Sequence, residues 1–303
     1  MAKPTSIDGG APSLVSQNAT HTELIVNDVE QAKINQSAVL SLTEDRTAQF
    51  PQGVTSIDIH EMEAPGVEDT KEDGSEQSDL AGGATPQTLT FDQYKTVPGY
   101  FYYKHSEAAR LSYQGAFLDS APKIALQNVT DAVIAGLRSI GATHYRQLSG
   151  TDLQGNANRT LDATDINAGK DIIRAAKLDM SQAYALNDEG QEEDLPVMFD
   201  LYNSNATSQL GDLAKLQGSL GVALGLPMFI ERTPAMVSGA IVAQSFIFHK
   251  TAVSWAIRTV FNLDTEDQPS KARTYWGVRF SYGVNVRSGA RGLVLQDTVA
   301  FTA

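Results

Sequence analysis

The chain has 303 residues, 42% of them hydrophobic, with 23 basic against 36 acidic side chains and a formal net charge of −13. That length can bury a sizeable core in one or two domains, and the charge excludes the basic footprint of a nucleic-acid reader. The absence of cysteine excludes disulfides, thiol nucleophiles and thiolate metal sites.

The charge is uneven. Residues 1–100 hold 5 Lys and Arg against 16 Asp and Glu, a balance of −11, and the remainder stands at −2. Residues 1–40 are polar, rich in Ser, Asn, Gln and Thr, and read as an extended arm with one short helix near Asn27–Ile34. The first eight residues lack the apolar run of a secretory signal. Val54–His60 alternates as a strand, Gly66–Asp79 is a charged tip that cannot bury a core, and Thr88–Lys95 returns as a second alternating strand. A ten-residue strand reaches roughly 33 Å, so a long two-stranded arm is expected over 54–97. Ile57 and Ile59 on one strand and Leu89 and Phe91 on the other form an apolar face. An isolated hairpin is marginal in water, so that face is expected to lie on an adjacent subunit. The tip, with Glu68, Asp69, Glu72 and Asp73, is expected to meet basic groups there.

A helix is expected over Ser106–Asp119. Ser120-Ala121-Pro122 then resets the chain, because Pro suits only a first helical turn. From Pro122, Leu126, Val129, Val133, Leu137 and Ile140 recur at helical spacing. Arg138 suits the negative end of the helix dipole and Gly141 is a stop. This second helix is roughly 28 Å long, a spine whose buried face is Leu126, Val129, Val133 and Leu137.

Asp165–Met180 reads as an amphipathic helix, Asn187–Asp194 as a solvated loop, Pro196–Phe199 as a short apolar run, Ser204–Leu216 as a helix and Val222–Ile230 as a buried strand. The last third is strand-rich, with strands expected over Gly239–Phe248, Tyr275–Val286 and Gly292–Phe301, while Ala252–Phe261 fits helix or strand. The run Thr233–Phe248 is shorter than the ~20 residues a membrane-spanning helix needs, so no span is expected. Helices and strands are segregated rather than alternating, which gives an α+β class.

Catalytic signatures are missing. Gly218–Gly225 lacks the Lys-Ser/Thr tail of a phosphate loop, and no GxSxG elbow occurs. The histidines, His21, His60, His105, His144 and His249, are far apart and match no zinc spacing. The acidic runs Glu68–Asp79 and Asp188–Asp194 miss the calcium-loop pattern. The expectation is no catalytic residue, no metal and no organic cofactor.

The order of parts resembles the major capsid proteins of tailed double-stranded DNA phages, those with the HK97 fold. Two passages carry the resemblance. Thr88-Leu89-Thr90-Phe91-Asp92-Gln93-Tyr94-Lys95 is similar to that family's returning E-loop strand, and Trp276-Gly277-Val278-Arg279-Phe280-Ser281-Tyr282-Gly283 to its closing strand. The resemblance implies an N-terminal arm over 1–45, an E-loop hairpin over 46–100, a spine-helix part of the P-domain over 101–149, an A-domain over 150–240 and the remainder of the P-domain over 241–303. It implies a virion protein that self-associates as pentamers and hexamers into an icosahedral head around double-stranded DNA. Further implied partners are a separate scaffolding protein, a portal protein and a decoration protein. The rival readings are an encapsulin-like nanocompartment shell and, from another class, a small-oligomer hydrolase or carbohydrate-binding module.

Overall fold

The computed structural model describes residues 37–50, 54–62, 84–102, 107–199, 219–237, 239–287 and 291–299. Its elements in chain order begin with α1 (Ala38–Leu42), β1 (Glu44–Asp45), β2 (Ser56–Met62), β3 (Ala84–Thr90), β4 (Gln93–Tyr102) and α2 (Glu107–Ser139). Then follow β5 (Tyr145–Gln147), β6 (Gly150–Thr151), β7 (Ala157–Thr160), α3 (Ala163–Ala175), β8 (Ala183–Asp188), α4 (Asp194–Met198) and β9 (Ser219–Ala223). The chain continues with β10 (Leu226–Glu231), β11 (Gln244–His249), β12 (Val253–Gln268), β13 (Arg273–Val286) and β14 (Gly292–Gln296). The helices expected near 27–34 and over 204–216 lie outside the described residues.

One sheet has four strands in the order β1-β12-β13-β4. Its frame is the β12–β13 hairpin, paired from Val253↔Val286 to Gln268↔Arg273. The ambiguity over Ala252–Phe261 resolves to strand, as its β-branched and aromatic content favours. Alternation buries Trp276, Val278, Phe280 and Tyr282 on one face of β13 and Val97 and Phe101 on the same face of β4. Helix α2 lies against that face. At Gly99 an added Cβ would stand 2.8 Å from the Phe117 ring, so only glycine lets β4 approach the helix here.

The expected break at Pro122 is absent: α2 is one helix from Glu107 to Ser139 with Pro122 inside it. Proline removes one helical hydrogen bond, but packing on both sides of it holds the axis together. Phe117, Ala121 and Ala125, which flank it, are all buried. The buried positions then continue at four-residue steps through Val129, Val133 and Leu137. A four-residue step exceeds the 3.6-residue turn, so the covered stripe winds around the helix. Leu126 falls off it and is 42% exposed, a correction to the expected core face. Large side chains set that expectation, whereas the close contact is made by Ala121 and Ala125.

The second sheet has six strands in the order β5-β14-β11-β8-β10-β9. Helix α3 packs on it, burying Ile166 and Ile173; Gly169 fits where an added Cβ would lie 2.6 Å from Ile247. Asp165 opens the helix with its Oδ2 accepting from the Ser149 and Asp162 amides at 3.0 and 3.2 Å. The expected single strand over Val222–Ile230 is an antiparallel pair, β9 and β10, turning at Leu224 and Gly225, both at positive φ. The segment Asn187–Asp194 is not a solvated loop. Asn187, Asp188, Gln191 and Asp194 are all buried. Asp188 Oδ1 accepts from Gly190 N at 2.7 Å, and its Oδ2 accepts from Gln244 N at 2.6 Å and Gln191 Nε2 at 3.0 Å. The polar composition is spent inside the fold, satisfying a tight connection rather than meeting water.

The sheets cut across the boundaries drawn from sequence. Strand β4, expected as part of the hairpin, belongs to the four-stranded sheet, and β11 and β14 join the six-stranded one. One apolar cluster joins both, running from Val129, Val133 and Trp276 to Leu186, Phe246 and Val294. Arg138 at the end of α2 adds a polar tie, its Nη2 donating to Ala235 O at 2.6 Å and to Gln244 Oε1 at 3.0 Å. No described helix is long and apolar enough to cross a membrane.

Candidate assembly surfaces

Strands β2 and β3 pair antiparallel from Ser56↔Thr90 to Met62↔Ala84, as the alternation of Ile57, Ile59 and Leu89 requires. Their apolar face is covered within the chain itself. Ile59, Leu89 and Phe91 are buried with Ala256, and Phe50 and half-buried Ile57 pack beside them. The expectation that these side chains wait for an adjacent subunit is corrected by that burial. The returning strand also breaks at Phe91-Asp92, where β3 ends and β4 begins. Glu68, Asp69, Glu72 and Asp73 lie outside the described residues.

Polar contacts root the hairpin on the sheet face opposite α2. Asn285 Nδ2 donates to Thr88 O at 2.8 Å, and Arg258 Nη2 donates to Val54 O at 2.7 Å. The Arg258 guanidinium stands 4.9 Å from the Phe91 ring centre, a cation–π contact. A Cβ at Gly283 would come within 2.0 Å of Thr90 O, so this glycine permits the seat.

Residues 37–50 form a strap across the subunit. At its start Glu231, on β10 and 4% exposed, accepts from Ser37 Oγ at 2.9 Å and Val39 N at 3.1 Å. Ala38, Val39 and Leu42 enter the shared core. Strand β1 then pairs in parallel with Ser254 and Trp255, and Phe50 reaches the Phe91 ring at 4.3 Å. The strap therefore touches both sheets and the hairpin. Sequence reasoning missed Glu231; the only signal was a carboxylate closing an apolar strand.

Burial raises the Glu231 carboxyl above the ordinary range, against the lowering effect of the Val39 and Ser37 hydrogen bonds. A raised folded pKa means that its stabilising contribution is full below about pH 4, the unfolded value, and is lost as pH rises through the folded value. Glu231→Gln, which does not ionise, should gain stability relative to the parent chain between acidic and neutral pH. Urea midpoints of both chains across that range check this; a constant difference would refute it.

Beyond the hairpin, the same sheet face carries exposed aromatic side chains among the described residues. Tyr94, Tyr100 and Tyr102 are exposed along β4. Tyr275 on β13 lies 5.4 Å from Tyr100, and the Arg273 guanidinium stacks 3.9 Å from the Tyr100 ring. Tyrosine and arginine are the side chains that dominate protein interfaces. Further apolar exposure occurs at Val222 and Leu224 beside the β9–β10 turn and at Val242. Sequence reasoning also missed these tyrosines, although the even-numbered spacing of Tyr94, Tyr100 and Tyr102 was a signal. Among the described residues, no three His, Asp or Glu side chains gather to hold a metal ion.

No protein-family model and no curated protein matches the sequence. Solved structures do resemble it. A structure of Mycobacterium phage Che8 aligns at a TM-score of 0.59 with 16% identity, over 86% of this chain and 91% of that one. The capsid structure of cyanophage P-SCSP1u aligns at 0.56 with 11% identity, over 84% and 86%. The capsid of an empty GTA particle aligns at 0.52 with 12% identity, over 98% and 94%. The chain has the HK97-like fold of phage capsid subunits, α+β as its segregated elements indicated.

Proposed function

We propose that this protein is the major capsid protein of a tailed bacteriophage, self-associating as pentamers and hexamers into the icosahedral head that encloses double-stranded DNA. The observation that carries this reading is the likeness to capsid subunits along nearly the whole length of both chains. In it, α2 with the four-stranded sheet takes the part of the P-domain, the six-stranded sheet that of the A-domain, and β2–β3 the root of the E-loop. The mechanism is assembly: modest contacts repeated by symmetry sum to a stable shell. The net charge of −13 suits a container, because acidic walls do not grip a packaged polyanion. A separate scaffolding protein, a portal protein and a decoration protein are the partners this reading calls for, and no catalytic turnover is part of it.

Negative-stain microscopy of the purified protein tests the proposal. Closed polyhedral particles are the expected result, and a discrete small oligomer would overturn it. Replacing residues 66–83 with a short Gly-Ser turn should leave a folded subunit that assembles poorly. Particle yield by sedimentation checks the hairpin's share, and a yield equal to that of the parent chain would remove it.

A further inference from the structure

The six-stranded sheet has two unlike ends. Strand β10 runs parallel to β8 and β5 parallel to β14, while β11 runs against both β8 and β14. The carboxyl ends of β5, β14, β8 and β10 therefore share one end of the sheet. The connections that follow them, the β6–β7 turn and α4, meet there, with Leu153 N donating to Asp194 Oδ1 at 3.0 Å. Leu153, Val197 and Met198 are exposed on these connections. The β9–β10 turn stands at the opposite end, with Val222 and Leu224 exposed. The later turns of α3 lie beside it, and Lys170 Nζ donates to Leu224 O at 2.6 Å. The six residues of β8 hold the two ends roughly 20 Å apart, so one chain cannot bring its own two patches together.

Charge divides along the same axis. At the α4 end Arg159 is spent on Asp297 and Arg232 on Glu192, so Asp152, Glu189 and Glu193 set the sign. At the β9–β10 end Lys170, Arg174 and Lys177 stand against Asp171 and Asp179. Asp171 is taken by Arg174 at 3.5 Å, and Asp179 is turned in on Ser181, whose hydroxyl it accepts at 2.7 Å. An apolar patch with an acidic rim thus faces away from an apolar patch with a basic rim. Opposite rims around apolar centres are the complementarity that protein interfaces use.

We propose that the α4 end of this sheet receives the β9–β10 end of the same sheet in a second copy of the chain. The contact is heterologous. Each copy spends one end on the copy before it and the other on the copy after it, so the contact propagates and closes into a ring when the rotation per step divides a full turn. The inference rests on the shell reading for that closure and adds to it the two surfaces that meet. Val222 and Leu224 of one copy lie against Leu153, Val197 and Met198 of the next. The rim charges fix the direction, because joining two like ends would oppose like charges.

Two charge-reversed chains test the contact by sedimentation velocity. One carries Arg174→Glu with Lys177→Glu, the other Glu189→Lys with Glu193→Lys; all four positions are exposed. Each variant alone presents like charges at every junction, and its self-association should weaken by about tenfold. In an equimolar mixture the two variants alternate, unlike charges face each other at every junction, and association should return. A variant that associates as well as the parent chain, or a mixture no better than its components, would overturn the contact. Should either variant misfold, the parent chain decides through salt: its association should weaken as sodium chloride rises, and no weakening would overturn the contact. Failure of the contact and failure of the shell reading look different. Particles from the parent and both variants alike remove the contact and leave the shell. Charge-dependent oligomers that never close into particles keep the contact and remove the shell.

Discussion

Val133→Asp should destabilise the subunit by about 4 kcal/mol or more, because it places an unpaired carboxylate in the core. Val133 is fully buried on α2 within the cluster that joins both sheets, so the loss should reach the whole fold rather than one element. Leu126→Asp is the matched control. Leu126 lies two turns away on the same helix and is 42% exposed, so its cost should stay below about 1 kcal/mol. Urea unfolding of the two variants separates the winding stripe from a straight one. Equal losses at both positions would show that the helix is rotated from the orientation described.

Gly283→Val should lift the β2–β3 hairpin off its sheet and suppress particle formation while the rest of the subunit stays folded. The new Cβ would meet the Thr90 carbonyl at 2.0 Å, a backbone atom that cannot rotate away, and valine adds two methyls beyond it. Overpacking against side chains costs about 1–3 kcal/mol because they can shift; here β3 itself must move. Its displacement breaks the hydrogen bond from Asn285 to Thr88 O and uncovers Leu89 and Phe91 from Ala256. Hydrogen exchange should rise across Ser56–Met62 and Ala84–Thr90, with α2 and the six-stranded sheet unchanged. Gly115→Ala is the control, since an added Cβ there meets nothing within 4 Å and alanine favours the helix by roughly 1 kcal/mol. If Gly283→Val assembles as well as Gly115→Ala, the hairpin's seat does not matter for the shell.

The fold class and most long elements were legible in the sequence because they rest on local periodicity. The positions Val129, Val133 and Leu137 marked the inward face of α2 correctly, and Tyr275–Val286 matched β13 closely. What stayed hidden depends on residues distant in the chain. Pro122 is a helix breaker by local rule, and only the sheet packed under Ala121 and Ala125 overrides it. The polarity of Asn187–Asp194 indicates solvent, yet Gln244, some fifty residues later, supplies the amide that buries Asp188. The apolar face of the hairpin was visible, but not its cover, because Ala256 stands far along the chain and Phe50 sits on the strap before β2. The proposed assembly surface was legible mainly as an order of parts, and the exposed tyrosines on β4 needed the sheet to show which face they share.

The short reach of β1 leaves much of one sheet edge open. β1 covers β12 only at Ser254 and Trp255, so among the described residues the outer edge of β12 runs without a partner strand to Gln268. Open edges of this length are templates for amyloid-like stacking. Here the register slips between Val260 and Leu263, a bulge that twists the edge out of line. Beyond the slip the strand carries Glu266 and Asp267, so two copies aligned edge to edge would oppose like charges. Pairing of two copies along this edge is thereby disfavoured.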